Sequence, residues 1–224
     1  TLFSIFTGIM VALLPMRKGS KRILNKNLRK LGGEPLYKII IDKLLMCKYI
    51  DKICINTDIN SIINKYKKNN RFIIIDRPKK FSGNCNINLI IKSCLDKIDR
   101  KYFIQVHCTN PFLKYSTIDK NIKAFLTQNY FDSYFSVNEF QKRLWNSKSE
   151  PYNHKLNDEP TTQNLNELYN ENSCFYIFSK KSFFKNMNRI GKRAKMIVLP
   201  QTESFDLDEE DDYNFAKIIH NKIK

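Results

Sequence analysis

A basic segment with the composition of a phosphate-binding loop follows the first apolar run of the chain. It runs from Pro15 to Asn27, directly after Val11–Leu14, and Arg17, Lys18, Lys21 and Lys26 supply positive charge. Phosphates need cations to offset their charge and backbone N–H groups for their oxygens. Gly19 and Ser20 would let the backbone approach closely, while Arg17 can grip a phosphate through two parallel hydrogen bonds. The spacing is not that of a Walker A loop, and a solvated basic loop would explain the same residues.

Two carboxylates near the C-terminal end could hold a metal ion. Asp206 and Asp208 are two residues apart, and side chains at this spacing in an extended segment point to the same side. Mg²⁺ takes one or two carboxylates together with phosphate oxygens and water. Asp208, with Asp211 three residues later, is also explained as the N-cap of a helix beginning near Glu209. Asp206 has no such alternative, so the pair predicts a metal site and leaves two roles open for Asp208.

Two further places carry side chains suited to an acidic substrate. His107 ends a predicted buried strand, where a hydrogen-bonded structural histidine is as common as a substrate contact. Lys142 and Arg143 lie close to Trp145 in the sequence, and two cations beside an aromatic ring suit a carboxylate. A solvated hairpin explains the second group nearly as well.

Strands and helices alternate along the part of the chain that would position these groups. Apolar runs predict strands at Val11–Leu14, Lys52–Thr57, Arg71–Ile75 and Tyr102–Val106. Helical periodicity predicts helices at Leu36–Lys48, Ile59–Asn69, Cys85–Ile98, and up to Gln128 after a capping box at Ser116 and Asp119. This alternation is typical of a mainly parallel sheet with helices on both faces. Ligands of such sheets bind at the carboxyl ends of the strands, where the polar segments fall.

The alternation breaks between about residues 130 and 172, which we expect to form an excursion of hairpins and loops that covers the site or makes a dimer contact. Phe175–Phe178 and Met196–Leu199 return to strand character, and Glu209–Ile223 is predicted to be a helix. The predicted fold is therefore a three-layer α/β/α, Rossmann-like domain with a mixed, mainly parallel sheet. We expect it to span residues 10–224, with residues 1–9 as an extension upstream of Met10.

Composition limits the classes of function. A net charge of +17 suits a polyanion such as nucleic acid, nucleotide phosphates or an anionic membrane, yet the basic residues are spread along the chain as on a solvated surface. The six cysteines form no CxxC pair and accompany only three histidines, which argues against a structural zinc site. Free thiols suit a reducing cytosol. We expect a cytoplasmic protein without a membrane segment.

The order of the motifs resembles that of acylneuraminate (CMP-sialic acid) cytidylyltransferases, from about Val11 to Ala216. The matching segments are Arg17-x-x-Ser20-Lys21, Lys26-Asn27, Leu31-Gly-Gly-Glu-Pro-Leu36, Asn56-Thr-Asp58, Asp76-Arg-Pro78, His107-Cys-Thr-Asn-Pro-Phe112, Thr162-Gln-Asn-Leu165, Glu171-Asn-Ser-Cys-Phe-Tyr-Ile177 and Phe205-Asp-Leu-Asp208. Any one of these motifs is weak evidence, whereas their common order is strong evidence. Leu24, Asn84 and Thr162 depart from the family pattern, and Thr162 replaces an arginine that some members use near the sugar acid.

The resemblance implies roles for individual residues. The implied nucleotide-binding residues are Arg17, Ser20, Lys21, Lys26, Asn27 and Arg77. The substrate-binding candidates are His107, Thr109, Gln163 and Asn172, to which the basic segment near Trp145 adds Lys142. Asp206 and Asp208 would hold Mg²⁺ and, with Arg17 and Lys21, form the catalytic group.

The implied reaction joins CMP from CTP to the anomeric hydroxyl of a 2-keto-3-deoxy, N-acylneuraminate-like sugar acid and releases pyrophosphate. The implied partners are CTP and the sugar acid, with a second copy of the chain in a homodimer and neither nucleic acid nor membrane. Three alternatives remain. They are the same chemistry on legionaminate, pseudaminate or 3-deoxy-octulosonate, a family member that binds nucleotide without turnover, and a non-catalytic nucleic-acid-binding protein.

Overall fold

The computed structural model describes residues 8–20, 22–81, 85–157 and 161–223. The strands are β1 (Met10–Met16), β2 (Lys30–Leu31), β3 (Glu34–Pro35), β4 (Ile50–Thr57), β5 (Phe72–Asp76), β6 (Tyr102–Val106), β7 (Ser133–Phe140), β8 (Leu168–Ser179) and β9 (Ala194–Val198). The helices are α1 (Leu36–Met46), α2 (Asn60–Tyr66), α3 (Ile87–Leu95), α4 (Tyr115–Leu126), α5 (Lys180–Asn186) and α6 (Glu210–Ile223).

Seven strands form one sheet in the order β5-β4-β1-β6-β8-β7-β9. Strands β5, β4, β1 and β6 run parallel to one another, and β7 runs parallel to β9. Strand β8 runs antiparallel to both of its neighbours, β6 and β7. Strand β1 lies near the middle of the sheet, which explains its continuous apolar sequence, because both of its faces are covered. The mixed, mainly parallel sheet predicted from the sequence is confirmed.

The two faces of β1 pack against different helices. Ala12 and Leu14 belong to a core that includes residues of α1, α2 and α4. Val11 and Leu13 belong to a second core with residues of α3 and α5. The alternation of side chains along the strand thus separates two helical layers, and the three-layer architecture is confirmed. A third cluster joins α6 to the small β2–β3 hairpin through Leu207, Tyr213 and Leu31.

Several local predictions differ from the structure. The capping box at Ser116 is wrong: α4 begins at Tyr115 without a side-chain cap, and the Asp119 carboxylate accepts a hydrogen bond from the Lys48 backbone N–H, at 3.0 Å. Sequence reasoning missed β7 and α5. Because β7 belongs to the main sheet, the irregular part of the expected excursion lies between Phe140 and Leu168. The expectation for residues 1–9 falls mostly outside the described residues.

Candidate active site

The basic loop after β1 is anchored at both ends. The backbone N–H of Lys18 donates to the Asp58 carboxylate at 2.6 Å, and the Asn27 side chain donates to the carbonyl of Arg17 at 3.1 Å. Gly19 has a φ of +78°, in the left-handed region where a Cβ is strained, although a Cβ there would meet no atom within 4 Å. The glycine is therefore needed for the turn of the backbone rather than for space.

The loop forms one wall of a cavity of about 330 Å³ at the carboxyl edge of the sheet. The cavity is lined by Pro15, Arg17, Ser20, Arg22, Lys26, Asn27, Arg77, Cys85, Ile87, Ile90, His107 and Thr109. Four of these side chains are cationic, which suits a polyanionic ligand. The structure therefore brings together five of the six nucleotide-binding candidates, and the sixth, Lys21, lies outside the described residues.

Arg77 is held in the cavity wall by the strand beside it. Its Nε donates to the side-chain oxygen of Asn56 at 2.8 Å, and Asn56 lies in the buried C-terminal half of β4. Burial lowers the pKa of Arg77, while the nearby Asp58 acts in the opposite direction. The guanidinium still carries its charge at neutral pH. In the Asn56-Thr-Asp58 motif, Asn56 thus orients Arg77 and Asp58 anchors the basic loop.

Asp206 has the features of a metal ligand. Its Oδ1 is buried and has no hydrogen-bond partner, and burial raises the pKa of its carboxyl group against the opposing effect of a hydrogen bond with Thr109. The neighbouring charge of Asp208 raises that pKa further. Two adjacent carboxylates, one with an unpartnered oxygen, fit a hard cation such as Mg²⁺. Among the described residues no group of three or more His, Cys, Asp or Glu could hold a metal, so a cation here would take its remaining ligands from phosphate and water.

Asp208 faces the basic loop. Its Oδ1 accepts hydrogen bonds from Arg22 at 2.9 Å and from Lys26 at 3.1 Å. Just before α6, the Oδ2 of Asp212 accepts from the backbone N–H groups of Asp208 and Glu209 at 2.9 and 2.7 Å. The Asp208 side chain itself bonds to the basic loop. The carboxylate pair therefore contacts two residues that line the cavity: Asp208 bonds to Lys26, and Asp206 bonds to Thr109.

His107 belongs to a hydrogen-bonded chain behind the cavity wall. Its Nε2 lies 2.7 Å from Nε2 of Gln105, and Oε1 of Gln105 accepts from Arg189 at 2.7 Å. The Arg189 guanidinium stacks 3.5 Å from the centroid of the Tyr176 ring. Burial, with Arg189 and Lys26 nearby, lowers the pKa of His107 to about 4. The imidazole is therefore neutral at physiological pH.

The remaining substrate candidates are not brought to this cavity. Lys142 is exposed and its ammonium lies 5.6 Å from the ring centroid of Phe140. Gln163 and Thr162 are exposed in a short 3-10 turn. Asn172 is buried and donates to Asn138 on the neighbouring strand at 3.1 Å. Its amide thus supports the pairing of β7 with β8, and of the five substrate candidates only His107 and Thr109 line the cavity.

Two site residues were missed by sequence reasoning. Arg22 lines the cavity and pairs with Asp208; its place in the basic loop was a signal that could have found it. Arg189 follows α5 with no motif around it, and its contact with Gln105 spans 84 residues. Of the family departures, Leu24 is 74% exposed in the loop turn, and Asn84 lies outside the described residues.

A larger cavity of about 600 Å³ lies on the other side of the Pro111 turn, between the β2–β3 hairpin and α6. Its walls are mainly apolar and include Phe112 and Ile39, and its charged members are two lysines and two glutamates: Lys43, Lys114, Glu34 and Glu203. Apolar walls with no excess of positive charge suit a triphosphate less well than the cationic cavity does. The smaller, cationic cavity is therefore the candidate active site.

The fold and this cavity define the class of protein: an α/β protein with a cationic cavity at the carboxyl edge of the parallel part of its sheet, next to a pair of carboxylates. The family described as Cytidylyltransferase matches residues 11–218. That match covers most of the chain, so the chain belongs to the cytidylyltransferase family, as the order of its motifs predicted.

Relatives of known activity match over nearly the whole chain at low identity. The pseudaminic acid cytidylyltransferase of Campylobacter jejuni is 24% identical, and the match covers 94% of this chain and 95% of that protein. The N-acylneuraminate cytidylyltransferase of Escherichia coli O18:K1:H7 is 23% identical, over 95% of this chain and 52% of that protein. The two names share the cytidylyltransferase activity and differ in the sugar acid.

Solved structures show the same fold. A CMP:2-keto-3-deoxy-manno-octonic acid synthetase complexed with CTP superposes with a TM-score of 0.69 at 12% identity, covering 96% of this chain and 99% of that one. A 4-diphosphocytidyl-2C-methyl-D-erythritol synthase from Anaerococcus prevotii gives a TM-score of 0.67 at 16% identity, covering 94% and 95%. At these identities the likeness shows the fold alone.

Proposed function

We propose that this chain transfers CMP from CTP to the anomeric hydroxyl of a 2-keto-3-deoxy sugar acid and releases pyrophosphate. The observation that carries the proposal is the cavity in which Arg17, Ser20, Lys26, Asn27 and Arg77 meet beside the Asp206–Asp208 pair. The names of the relatives support a nine-carbon acid of the pseudaminate or N-acylneuraminate type as the acceptor.

In the proposed reaction, the C2 hydroxyl oxygen of the sugar acid forms a bond to the α-phosphorus of CTP, and the bond between that phosphorus and the bridging oxygen of the β-phosphate breaks. The hydroxyl proton passes to solvent, and pyrophosphate leaves. Arg17, Lys26 and Arg77 offset the phosphate charge and orient the triphosphate, which is the main contribution a protein makes to such transfers. Asn27 and Ser20 lie in the same wall and suit hydrogen bonding to the nucleotide.

Asp206 and Asp208 are the residues that would hold Mg²⁺. A bound magnesium ion stabilises the charge that develops on the phosphate oxygens. Asp208 is paired with Arg22 and Lys26 in the free protein, so these two cations keep the carboxylate oriented toward the cavity until nucleotide binds. Lys21, placed by the family motif in the phosphate loop, would add a further positive charge.

The proposal is tested by measuring pyrophosphate release with Mg²⁺, CTP and a panel of acids: pseudaminic, N-acetylneuraminic, legionaminic and 3-deoxy-manno-octulosonic acid. Release with one acid and CTP, and none with UTP or ATP, is the expected result and names the acceptor. No release of pyrophosphate with any of the four acids, together with no rise in melting temperature on addition of CTP, would contradict the proposal.

The proposed partners follow from the same site. Among the described helices, none has the length and apolar content that crossing a bilayer requires, and we propose a cytoplasmic enzyme. Aromatic residues lie mainly in the buried cores rather than alternating with lysine and arginine on a stacking surface, which argues against a nucleic-acid partner. The steep salt dependence of a nucleic-acid binder would be absent from oligonucleotide titrations.

A further inference from the structure

We infer that Arg189 is a positioning residue that acts through Gln105 to hold His107 as the neutral imidazole with its proton on Nδ1. The inference rests on the proposed function only where it assigns His107 to the sugar acid. The three side chains connect the segment after α5 with strand β6 and with the wall of the candidate active site.

The orientation of the Gln105 amide follows from the chemistry of arginine. A guanidinium donates hydrogen bonds and accepts none, so the Gln105 atom 2.7 Å from Arg189 has to be the carbonyl oxygen. The NH₂ group of the same amide then faces His107, at 2.7 Å from Nε2. Because that NH₂ group can only donate, the imidazole Nε2 has to accept and carries no proton. The neutral ring therefore has its proton on Nδ1.

Arg189 is itself held on several sides. Its side chain is only 13% exposed, its guanidinium stacks on Tyr176, and its Nη2 lies 3.6 Å from the Glu171 carboxylate. The Tyr176 hydroxyl donates to the same carboxylate and lies 3.1 Å from the Ser173 hydroxyl. Gln105 is fully buried, so solvent does not compete for its amide. These contacts leave one arrangement of the amide in which every hydrogen bond is made.

The charges around His107, like its hydrogen bonds, favour the neutral form of the imidazole. Arg189 and Lys26 are the cations that disfavour a charged imidazole, Asp208 is the anion that favours one, and burial adds to the effect of the cations. A doubly protonated ring would also point Nε2–H at the NH₂ group of Gln105. The ring therefore meets a ligand as a neutral group whose remaining donor is Nδ1–H.

This assigns His107 a specific kind of contact in the sugar subsite. Since His107 lines the cavity, its Nδ1–H suits an acceptor oxygen of the sugar acid, a carboxylate or a hydroxyl. The arginine near the sugar acid in some family members is replaced here by Thr162, which is exposed and does not line the cavity. In this chain the donor in the cavity wall is therefore the neutral Nδ1–H of His107, which Arg189 positions through Gln105.

The tautomer can be measured without substrate. Only His107, His154 and His220 contribute signals, so long-range ¹H–¹⁵N spectra of protein labelled at histidine are simple, and His107→Gln assigns the His107 peaks. We expect an unprotonated Nε2 and a protonated Nδ1 from about pH 8 to about pH 5. An Nε2–H tautomer, or titration near the ordinary histidine value, would overturn the inference.

Two variants test the connection. Gln105→Glu keeps the shape of the side chain but replaces the donating NH₂ by an accepting oxygen, so His107 should move its proton to Nε2 and its pKa should rise. Arg189→Met should raise the His107 pKa and allow both tautomers, whereas Arg189→Lys should preserve the wild-type spectrum. The exposed Arg193 lies on the same segment, and Arg193→Met is the control. Unchanged His107 signals in Gln105→Glu would overturn the inference even if Arg189→Met failed to fold.

Kinetics separate this inference from the proposed function. With the accepted acid, Gln105→Glu should raise the KM for that acid roughly three- to tenfold, as expected for one lost hydrogen bond, and leave the KM for CTP unchanged. A KM for CTP that rises equally would contradict a role at the sugar. If the wild-type spectrum shows the expected tautomer while no acid is used, the proposed function fails and the arrangement of His107 still stands.

Discussion

At the scale of the residue, Asp206 is proposed to bind magnesium, and its buried carboxylate should lower the stability of the folded protein. Its carboxyl group is largely enclosed, one oxygen lacks a partner, and burial raises its pKa. A raised pKa means that the ionised form is less favourable in the folded than in the unfolded protein. We expect Asp206→Asn to raise the melting temperature of the ligand-free protein at pH 7, with ~2–4 °C for each kcal/mol regained, and to abolish magnesium-dependent turnover.

Melting temperatures of the wild-type and Asp206→Asn proteins, measured at several pH values, test whether the ionised carboxylate destabilises the fold. The penalty of the ionised carboxylate grows as pH rises through the unfolded-state pKa and is complete above the folded-state pKa, so the advantage of asparagine should disappear in acid. Asp96, an exposed carboxylate paired with Lys92, gives the matched control Asp96→Asn. An Asp206→Asn protein that is less stable at pH 7, or that keeps full turnover, would contradict the role assigned to this residue.

At the scale of the element, the loop between β1 and β2 depends on an acceptor from the end of β4. The Lys18 N–H donates to Asp58 at 2.6 Å, and this contact joins two segments 40 residues apart. We expect Asp58→Ala to raise the KM for CTP about tenfold, in line with a hydrogen bond to a charged group, because the loosened loop has to be ordered by the nucleotide. The turnover number should change less.

Steady-state kinetics with varied CTP measure this effect. Asp58→Asn retains an acceptor oxygen and should recover most of the affinity. Asp51→Ala is the control, since Asp51 pairs with Arg100 on the surface at the other end of β4. Equal effects of Asp58→Ala and Asp51→Ala would show that the loss is one of general stability rather than of loop position.

At the scale of the whole molecule, the segment between β7 and β8 exposes large apolar side chains. Trp145, Tyr152 and Leu156 are 51%, 72% and 57% exposed, and Trp145 and Pro151 form an isolated antiparallel bridge. Exposed apolar groups gathered in one segment are typical of an interaction surface. We expect the chain to form a homodimer through this segment, with a mass in solution of twice 26.6 kDa.

Light scattering coupled to gel filtration tests the dimer. Tyr152→Glu places a charge in the expected interface and should shift the protein toward the monomer at micromolar concentration. Phe215 on α6 is 58% exposed on another element, and Phe215→Glu is the matched control that should remain dimeric. A wild-type protein of 26.6 kDa, or dissociation by both variants alike, would contradict the proposed interface.

The features that could be predicted from local sequence are those with a local physical cause. Strand β1 is buried on both faces and therefore reads as an unbroken apolar run, and Tyr102–Val106 was predicted with the bounds of β6. Helices α1 and α3 show the period of a half-buried helix. The basic loop could be recognised because glycine and cations close together suit phosphate whatever the rest of the chain does.

Other features depend on which segments meet, and local patterns do not encode that. Strand β7 was missed because its sequence mixes polar and aromatic residues, and it is stabilised by pairing on both edges with β8 and β9. A carboxylate before a helix suits a cap as well as a metal, so the sequence left both roles of Asp208 open. Only the folded structure brings its side chain against Arg22 and Lys26 of the basic loop. Arg189 contacts Gln105, 84 residues away, and reaches His107 through it. The sheet order brings them together, because β6 and β8 lie side by side only in the folded protein.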